Sequence, residues 1–196
     1  APYQVGLLEG LENCEELQVN ETLADIYRKW VKDNPPDHGT WGNWPRSHPE
    51  MPLSGEVAAA AGAETEHAVV VIGRSSGEDR ENQLEAGSYY LTEAETAMLR
   101  TVTEHFDSAV LVLNIGSVMD FSFLEEFLPK LGAVLILWQG GMESGNAAAD
   151  LLCGRVCPSG RLTDTIARTY EDYPSAANFG DKDRNEYRED IFVGYR

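Results

Sequence analysis

The sequence predicts an α/β domain, a layered α/β sandwich with a mostly parallel sheet. Three apolar runs read as strands buried on both faces: AVVVIG at 68–73, AVLVL at 109–113 and AVLILW at 133–138. Segments with helical periodicity separate these runs, and a glycine-containing loop follows each of them. This alternation favours a parallel sheet covered on both faces, with the three loops meeting at one edge.

The helices are predicted from apolar spacing and from capping residues. Asn20 is expected to cap the second helix, Ser54 opens the third, and Thr92 with Glu95 forms a capping box for the fourth. Asp120 is expected to cap a short helix beginning near Phe121. The predicted helices cover Val5–Leu17, Glu21–Lys32, 54–63, Phe121–Phe127 and Ser144–Cys153, with a short strand at Leu17–Asn20. A further helix follows the capping box at Thr92, with Ala94, Met98, Leu99 and Val102 facing inward.

Composition restricts the class of function. The 196 residues suffice for one domain with a real core, and 33 acidic against 15 basic residues give a formal charge of -18. Such a charge repels nucleic acid, and no apolar run is long enough to cross a bilayer, so neither a nucleic-acid nor a membrane partner is expected.

Three cysteines are too few for a disulfide framework. Cys153 and Cys157 are four residues apart, but no histidine or second cysteine pair accompanies them, so buried thiols are favoured over a metal site. No cofactor is expected. The cysteine content favours a reducing, cytoplasmic location of bacterial type and leaves secretion open.

The segment 34–52 contains five prolines and two tryptophans, and it is predicted to be an ordered loop. Trp41 and Trp44 are expected to pack against the domain. The alternative is that one indole lines a sugar site, because tryptophan presents a flat apolar face beside a polar edge.

Both ends look cut from a longer polypeptide, since the chain begins Ala1-Pro2-Tyr3 and finishes in the apolar run 191–196. Residues 1–168 are predicted to form the sandwich domain, and residues 169–196 an extended tail leading to a neighbouring domain.

The loop after the first strand is the candidate site, because ligands bind at the carboxyl edge of such sheets. It places Glu78 and Asp79 between Arg74 and Arg80. Phosphate-binding and serine-hydrolase motifs are absent. From residue types alone, Glu78 is either a solvated carboxylate paired with an arginine or one of the two acids that a glycosidase needs.

Two carboxylates on neighbouring loops compete with Glu78 for a catalytic role. Glu143 follows a Gly-Gly turn at the start of a helix, where a negative charge is favourable. Asp120 is the weaker candidate.

Five separate motifs resemble the α/β sandwich domain of glycoside hydrolase family 3, of the β-glucosidase type. They are GRSSGED at 73–79, GSYYLT at 87–92, WQGGMESGNA at 138–147, GRVCPSGRL at 154–162 and DYPSAANFG at 172–180. Together they extend over nearly the whole chain.

The resemblance implies a retaining mechanism shared between two domains. A TIM barrel, absent from this chain, supplies the aspartate nucleophile, and Glu78 is the acid/base residue. The substrate implied is a β-linked glucoside or oligosaccharide. Residues expected to bind substrate or support the loop are Arg74, Ser76, Asp79, Arg80, Trp138 and Glu143.

The resemblance also implies that the family's first strand is missing and leaves the domain order open. The isolated chain is expected to be inactive. Two other readings stand beside this one: a non-catalytic carbohydrate-binding or scaffold module, and a flavodoxin-like nucleotide binder that the absent phosphate motifs disfavour.

Overall fold

The computed structural model describes residues 2–77 and 81–191, which form an α/β domain. The strands are β1 (His67–Arg74), β2 (Ser108–Ile115) and β3 (Leu131–Ile136). The helices are α1 (Leu7–Glu12), α2 (Glu21–Asp33), α3 (Gly55–Glu64), α4 (Glu93–His105), α5 (Leu124–Phe127) and α6 (Ser144–Leu152), with 3₁₀ turns at Leu128–Lys130 and Tyr170–Asp172.

The three strands form one parallel sheet in the order β1-β2-β3, as predicted. Ile72 pairs with Leu113, which pairs with Ile136 on its other side, so the strand ends are level at the carboxyl edge. A parallel sheet with level ends brings the loops that follow its strands together.

The prediction that every strand is buried on both faces is correct for β2 and wrong for the two edge strands, β1 and β3, the latter having no fully buried residue. In β1, Val70 and Ile72 are buried, whereas Val69 and Val71 are 38% and 37% exposed. The reason is position, because β1 is an edge strand and β2 is the central one. The third strand begins two residues earlier than predicted and ends before Trp138.

The core lies between the sheet and α4. Met98, Leu99 and Val102 of α4 are buried against Ile72 and Leu113. The capping box that starts this helix is confirmed, with the Glu95 N–H donating to Thr92 Oγ1 at 3.1 Å. It places Glu95 in the first turn, below the end of β1.

The side-chain caps of α2 and α3 are also confirmed. Asn20 accepts a hydrogen bond from the Leu23 N–H at 2.9 Å, and Ser54 accepts one from the Val57 N–H at 3.3 Å. These local motifs predicted the start of both helices correctly.

The first helix is shorter than predicted, and Leu17–Asn20 forms no strand. Val5 is extended because its N–H donates to Met142 O and its carbonyl accepts from the Gly145 N–H. These bonds to a distant segment prevent Val5 from joining the helix.

The predicted helix at Phe121 begins only at Leu124, and the Asp120 cap is wrong. The Asp120 carboxylate accepts a hydrogen bond from Ser122 Oγ at 2.6 Å, while the Asp120 N–H donates to Tyr89 O. Asp120 therefore ties the loop after β2 to the segment around Tyr89.

The proline-rich loop presents its two indoles differently. The Trp44 ring covers Gly77, as expected of a packed side chain. Trp41 is 93% exposed, so the prediction that it packs against the domain is wrong. It lies on a tight turn, with Thr40 bridged to Asn43 and Gly42 at positive φ, which directs its side chain outward.

The segment after residue 168 contacts the domain through aromatic side chains. The rings of Tyr170 and Tyr89 meet edge to face, with centroids 5.7 Å apart. The boundary at 168 stays a prediction. Within residues 2–77 and 81–191, no helix has the length and apolar character needed to span a membrane.

Candidate active site

The loops after the strands border a cavity of about 870 Å³ at the carboxyl edge of the sheet. Ser75 follows β1, Asn114 lies near the end of β2, and Gln139 follows β3, so the carboxyl ends of all three strands contribute to one lining. The fourth wall is residues 46–50 of the proline-rich loop. The lining is rich in amides, hydroxyls and charged groups, which suits a hydroxyl-bearing ligand.

Arg74 lies at the end of β1 and is buried, with only 5% of its surface exposed. Its guanidinium forms a bidentate ion pair with Glu95, at 2.6 Å (Nη1–Oε1) and 2.8 Å (Nη2–Oε2). It also donates to the carbonyls of Gly73, Ser88 and Tyr90. Arg74 therefore supports the backbone of segment 88–90 from inside the domain.

Residues 75–77, on one side of the candidate acid loop, are held from two directions. The Ser75 N–H donates to Arg46 O at 2.7 Å, and the Ser75 hydroxyl donates to Pro45 O. Ser76 Oγ donates to Gln139 Oε1 at 3.3 Å, which links this loop to the one after β3. Gly77 lies so close to the Trp44 ring that a Cβ there would collide with it.

The other side of the loop is anchored to the segment after β2. Asn82 donates from Nδ2 to Val118 O and accepts from Ser117 Oγ at 2.9 Å. The Gln83 N–H donates to Ser88 Oγ. Glu78, Asp79 and Arg80 themselves lie outside the described residues, so their sequence-based roles stay predictions.

Trp138 lies in a sharp turn after β3 and is not part of that strand. It is a non-glycine residue with a φ of 56°, and its carbonyl accepts a hydrogen bond from Asn114 Nδ2. Its ring is half-buried against the core. The unusual backbone turns the chain sharply after β3 and brings Gln139 to Ser76, so Trp138 shapes the loop.

Glu143 stands at the exposed start of α6, on the far side of the loop after β3. Tyr3 donates its phenol hydrogen to Oε1 at 2.5 Å, and Asn146 Nδ2 donates to Oε2 at 2.6 Å. The Tyr3 hydrogen bond and then that of Asn146 lower the pKa of Glu143. A carboxylate held in its ionised form suits a structural partner better than a proton donor.

Glu50 is a carboxylate in the cavity wall that the sequence patterns did not indicate. It accepts hydrogen bonds from the Met51 N–H at 2.9 Å and from the Tyr27 hydroxyl at 3.4 Å. Burial, followed by the repulsive charge of Glu95, raises its pKa, although the Met51 N–H opposes this. Its place in a proline-rich loop gave no periodic signal that could have revealed it.

These observations define a class of protein: an α/β sandwich domain whose carboxyl edge carries an acidic loop beside a polar cavity. The sequence profile described as the glycosyl hydrolase family 3 C-terminal domain matches residues 1–195. The chain belongs to this family.

Curated relatives agree with this assignment. The chain is 42% identical over 192 residues to a beta-glucosidase of Ruminococcus albus, which covers 97% of this chain and 20% of the relative. It is 36% identical to beta-glucosidase A of Butyrivibrio fibrisolvens, covering 100% of this chain and 26% of that protein. The chain thus spans about a fifth to a quarter of these relatives.

Solved structures share the fold. A beta-glucosidase of Paenibacillus barengoltzii superposes with a TM-score of 0.94 at 48% identity, over 100% of this chain and 21% of the other. Beta-glucosidase 3B of Thermotoga neapolitana, in complex with glycerol, gives a TM-score of 0.81 at 33% identity, over 98% of this chain and 28% of that one.

Proposed function

We propose that the chain is the acid/base-bearing domain of a retaining family 3 glycoside hydrolase, a β-glucosidase that releases terminal glucose from β-glucosides. One observation carries the proposal: Ser76 and Asn82, which flank residues 78–80 in the sequence, are each anchored to a neighbouring loop at the carboxyl edge of the sheet, where a polar cavity lies. The names of the relatives supply the substrate class.

In this mechanism, Glu78 acts twice on one substrate. A barrel aspartate attacks the anomeric carbon while Glu78 gives its proton to the departing glycosidic oxygen. Glu78, now a carboxylate, then takes a proton from the water that releases the covalent glycosyl intermediate. The two carboxyl groups of a retaining enzyme lie about 5–5.5 Å apart, which requires the two domains to meet at this loop.

Arg74 and Arg80 flank Glu78 in the sequence, and a nearby positive charge opposes the protonation of a carboxylate. Arg74 is not free to do so, because Glu95 compensates its charge inside the domain. Docking of the barrel would add a second carboxylate and exclude water, and both effects raise the pKa of a carboxyl group. Glu78 is therefore proposed to become a competent acid only in the assembled site.

The two rival carboxylates fit structural roles better. Glu143 is kept ionised by Tyr3 and Asn146. Asp120 is buried and bonded to Ser122 within its own loop. The ionised Glu143 is unsuited to giving a proton to a leaving group, and Asp120 is engaged within its own loop.

A non-catalytic carbohydrate-binding module is the second candidate. It is favoured by the fully exposed Trp41 indole, since flat aromatic faces stack on sugar rings. A binding module would retain affinity for glucosides without turnover in any larger protein that contains it.

The split site is tested by assaying the chain alone and within its complete polypeptide, using an aryl β-glucoside. The isolated chain, checked for folding by circular dichroism, should give no turnover, and the complete protein should hydrolyse the glucoside with retention of the β-anomer. Robust hydrolysis by the isolated chain would refute the split site. A complete protein that binds glucosides without turnover would favour the binding module.

We also propose that the family's first strand, outside residues 1–196, pairs with the free edge of β1. Within the described residues β1 bonds only to β2, and an apolar groove of about 600 Å³ runs beside Val69 and Val71. Including the preceding segment should slow amide exchange along β1. Unchanged exchange would contradict this pairing.

A cytoplasmic location is proposed as well, since all three cysteines are free thiols. Fractionation of the source cells checks it, and recovery of the protein from the culture medium would contradict it.

A further inference from the structure

We propose that Cys14, Glu16 and Cys153 form a binding site for a thiophilic divalent cation of the zinc type. None of these residues lines the cavity at the carboxyl edge of the sheet. The two Sγ atoms and a carboxylate oxygen all lie within 4.8 Å of one another. Two thiolates and one carboxylate are ligands that Zn²⁺ prefers.

The main chain positions both thiols. Cys14 follows α1, and its N–H donates to Leu11 O, whereas Cys153 ends α6 and its N–H donates to Ala149 O. The two helices touch backbone to backbone, because a Cβ on Gly10 would collide with the Gly145 carbonyl. The donors therefore sit on rigid elements, as a preorganised metal site requires.

One separation in the cluster is close to that of a tetrahedral zinc site. Zn–S bonds of about 2.3 Å and Zn–O bonds of about 2.1 Å place two sulfurs about 3.8 Å apart, and sulfur and oxygen about 3.6 Å apart. Cys14 Sγ lies 3.4 Å from Glu16 Oε2. Side-chain shifts of about 1 Å complete the set, and the exposed Glu16 side leaves a fourth position for water.

Metal binding would displace the thiol hydrogens of Cys14 and Cys153, and the Glu16 carboxylate adds a negative charge beside them. Cys14 is buried and donates its thiol hydrogen to Glu16, while Cys153 donates to Asp150 O. Arg155 holds Glu16 through Nε–Oε1 at 2.8 Å and through Nη2–Oε2. Binding would keep the first of these bonds and turn Oε2 towards the metal.

Selectivity follows from the thiols. Cys14 and Cys153 supply two sulfur donors to the cluster. Thiolates prefer zinc-like cations, whereas Ca²⁺ and Mg²⁺ prefer oxygen ligands, so Ca²⁺ and Mg²⁺ should not compete. Bound metal would fasten the segment 2–17 to α6.

The fold, and not the spacing in sequence, creates this cluster. The sequence suggests Cys153 with Cys157, whereas the described residues bring Cys153 to Cys14, which is 139 positions away. Cys157 is exposed and lies outside the cluster. It therefore provides a matched control.

The test is a titration of the reduced chain with Co²⁺, followed by the sulfur-to-cobalt charge-transfer absorption. One ion per chain should bind with this band, and excess Zn²⁺ should remove it. Cys157→Ser should titrate like the parent, whereas Cys153→Ser should bind at least about 100-fold more weakly. No band, or an equal band in Cys153→Ser, would overturn the proposal.

A second measurement tests the site by thermal stability, without the cobalt absorption. Zn²⁺ should raise the Tm of the parent and of Cys157→Ser in a concentration-dependent manner, and leave Cys153→Ser unchanged. An equal rise in all three would overturn the proposal. So would a chain that loses two hydrogens in mass under air without taking up metal, because that identifies the pair as a disulfide.

Discussion

Two arginine–carboxylate clusters in this domain use the same chemistry in opposite surroundings. Arg74 and Glu95 are buried at the end of β1, and the guanidinium also holds the carbonyls of Ser88 and Tyr90. Arg155, with Glu16 and Asp150, lies exposed at the end of α6. Water and salt screen the exposed cluster, so only the buried pair is expected to control the position of backbone near the candidate active site.

Breaking the buried pair should give the largest loss of stability. Arg74→Met leaves the Glu95 charge buried without its counter-charge and deprives three carbonyls of a donor, which is expected to cost about 3–5 kcal/mol in the free energy of unfolding. Urea denaturation measures this loss.

The matched control is Arg100→Met, which breaks the exposed bidentate pair between Arg100 of α4 and Glu126 of α5. Its urea midpoint should stay near that of the parent. If the two variants lost equal stability, the contrast between buried and exposed pairs would be wrong.

The candidate acid loop is also held by the packing of Gly77 against the Trp44 ring, and Gly77→Ala tests this packing. A Cβ at residue 77 must displace the Trp44 ring or the loop. Displacement of a catalytic group by about 1 Å costs on the order of 100-fold in rate, so kcat/KM of the complete protein should fall by about 10- to 100-fold.

Gly73→Ala is the matched control, since a Cβ there meets no atom within 4 Å. It should retain nearly full activity. Equal losses in both variants would show that glycine flexibility, not contact with Trp44, is what the loop requires.

The smallest effect concerns Glu50, whose pKa burial raises in the folded chain. The folded state then holds more protons than the unfolded state as the pH rises above the ordinary glutamate value of about 4.3, so the free energy of unfolding falls. Glu50→Gln removes this dependence and can still accept both hydrogen bonds.

The urea midpoint of Glu50→Gln minus that of the parent should therefore be larger at pH 7 than at pH 3.5. A difference that is the same at both pH values would show that Glu50 titrates alike in the folded and unfolded chains.

Local patterns predicted the parts of the fold that depend on neighbouring residues. The capping box of α4, the Asn20 cap and the central strand β2 are confirmed because their determinants lie within a few residues. The helix α1 was predicted too long because Val5 bonds to residues near position 145. The exposed face of β1 depends on its place at the edge of the sheet, which periodicity does not encode.

The location of the candidate site was predictable from the sequence, but the contacts that shape it were not. The parallel sheet implied that loops would meet at one edge, and the structure brings Ser76 to Gln139 there. The partnership of Arg74 with Glu95 and the burial of Glu50 arise from packing between distant segments. The acid/base assignment of Glu78 came from family resemblance and stays a prediction.

The most direct test of the central claim is the leaving-group dependence of Glu78→Gln in the complete protein. On an aryl β-glucoside with a poor leaving group, kcat/KM should fall by about 10²–10⁴-fold, because that oxygen needs a proton to depart. On one with a good leaving group the loss should be far smaller, and Glu143→Gln should show no such difference. Near-normal activity of Glu78→Gln on the poor leaving group would contradict the assignment.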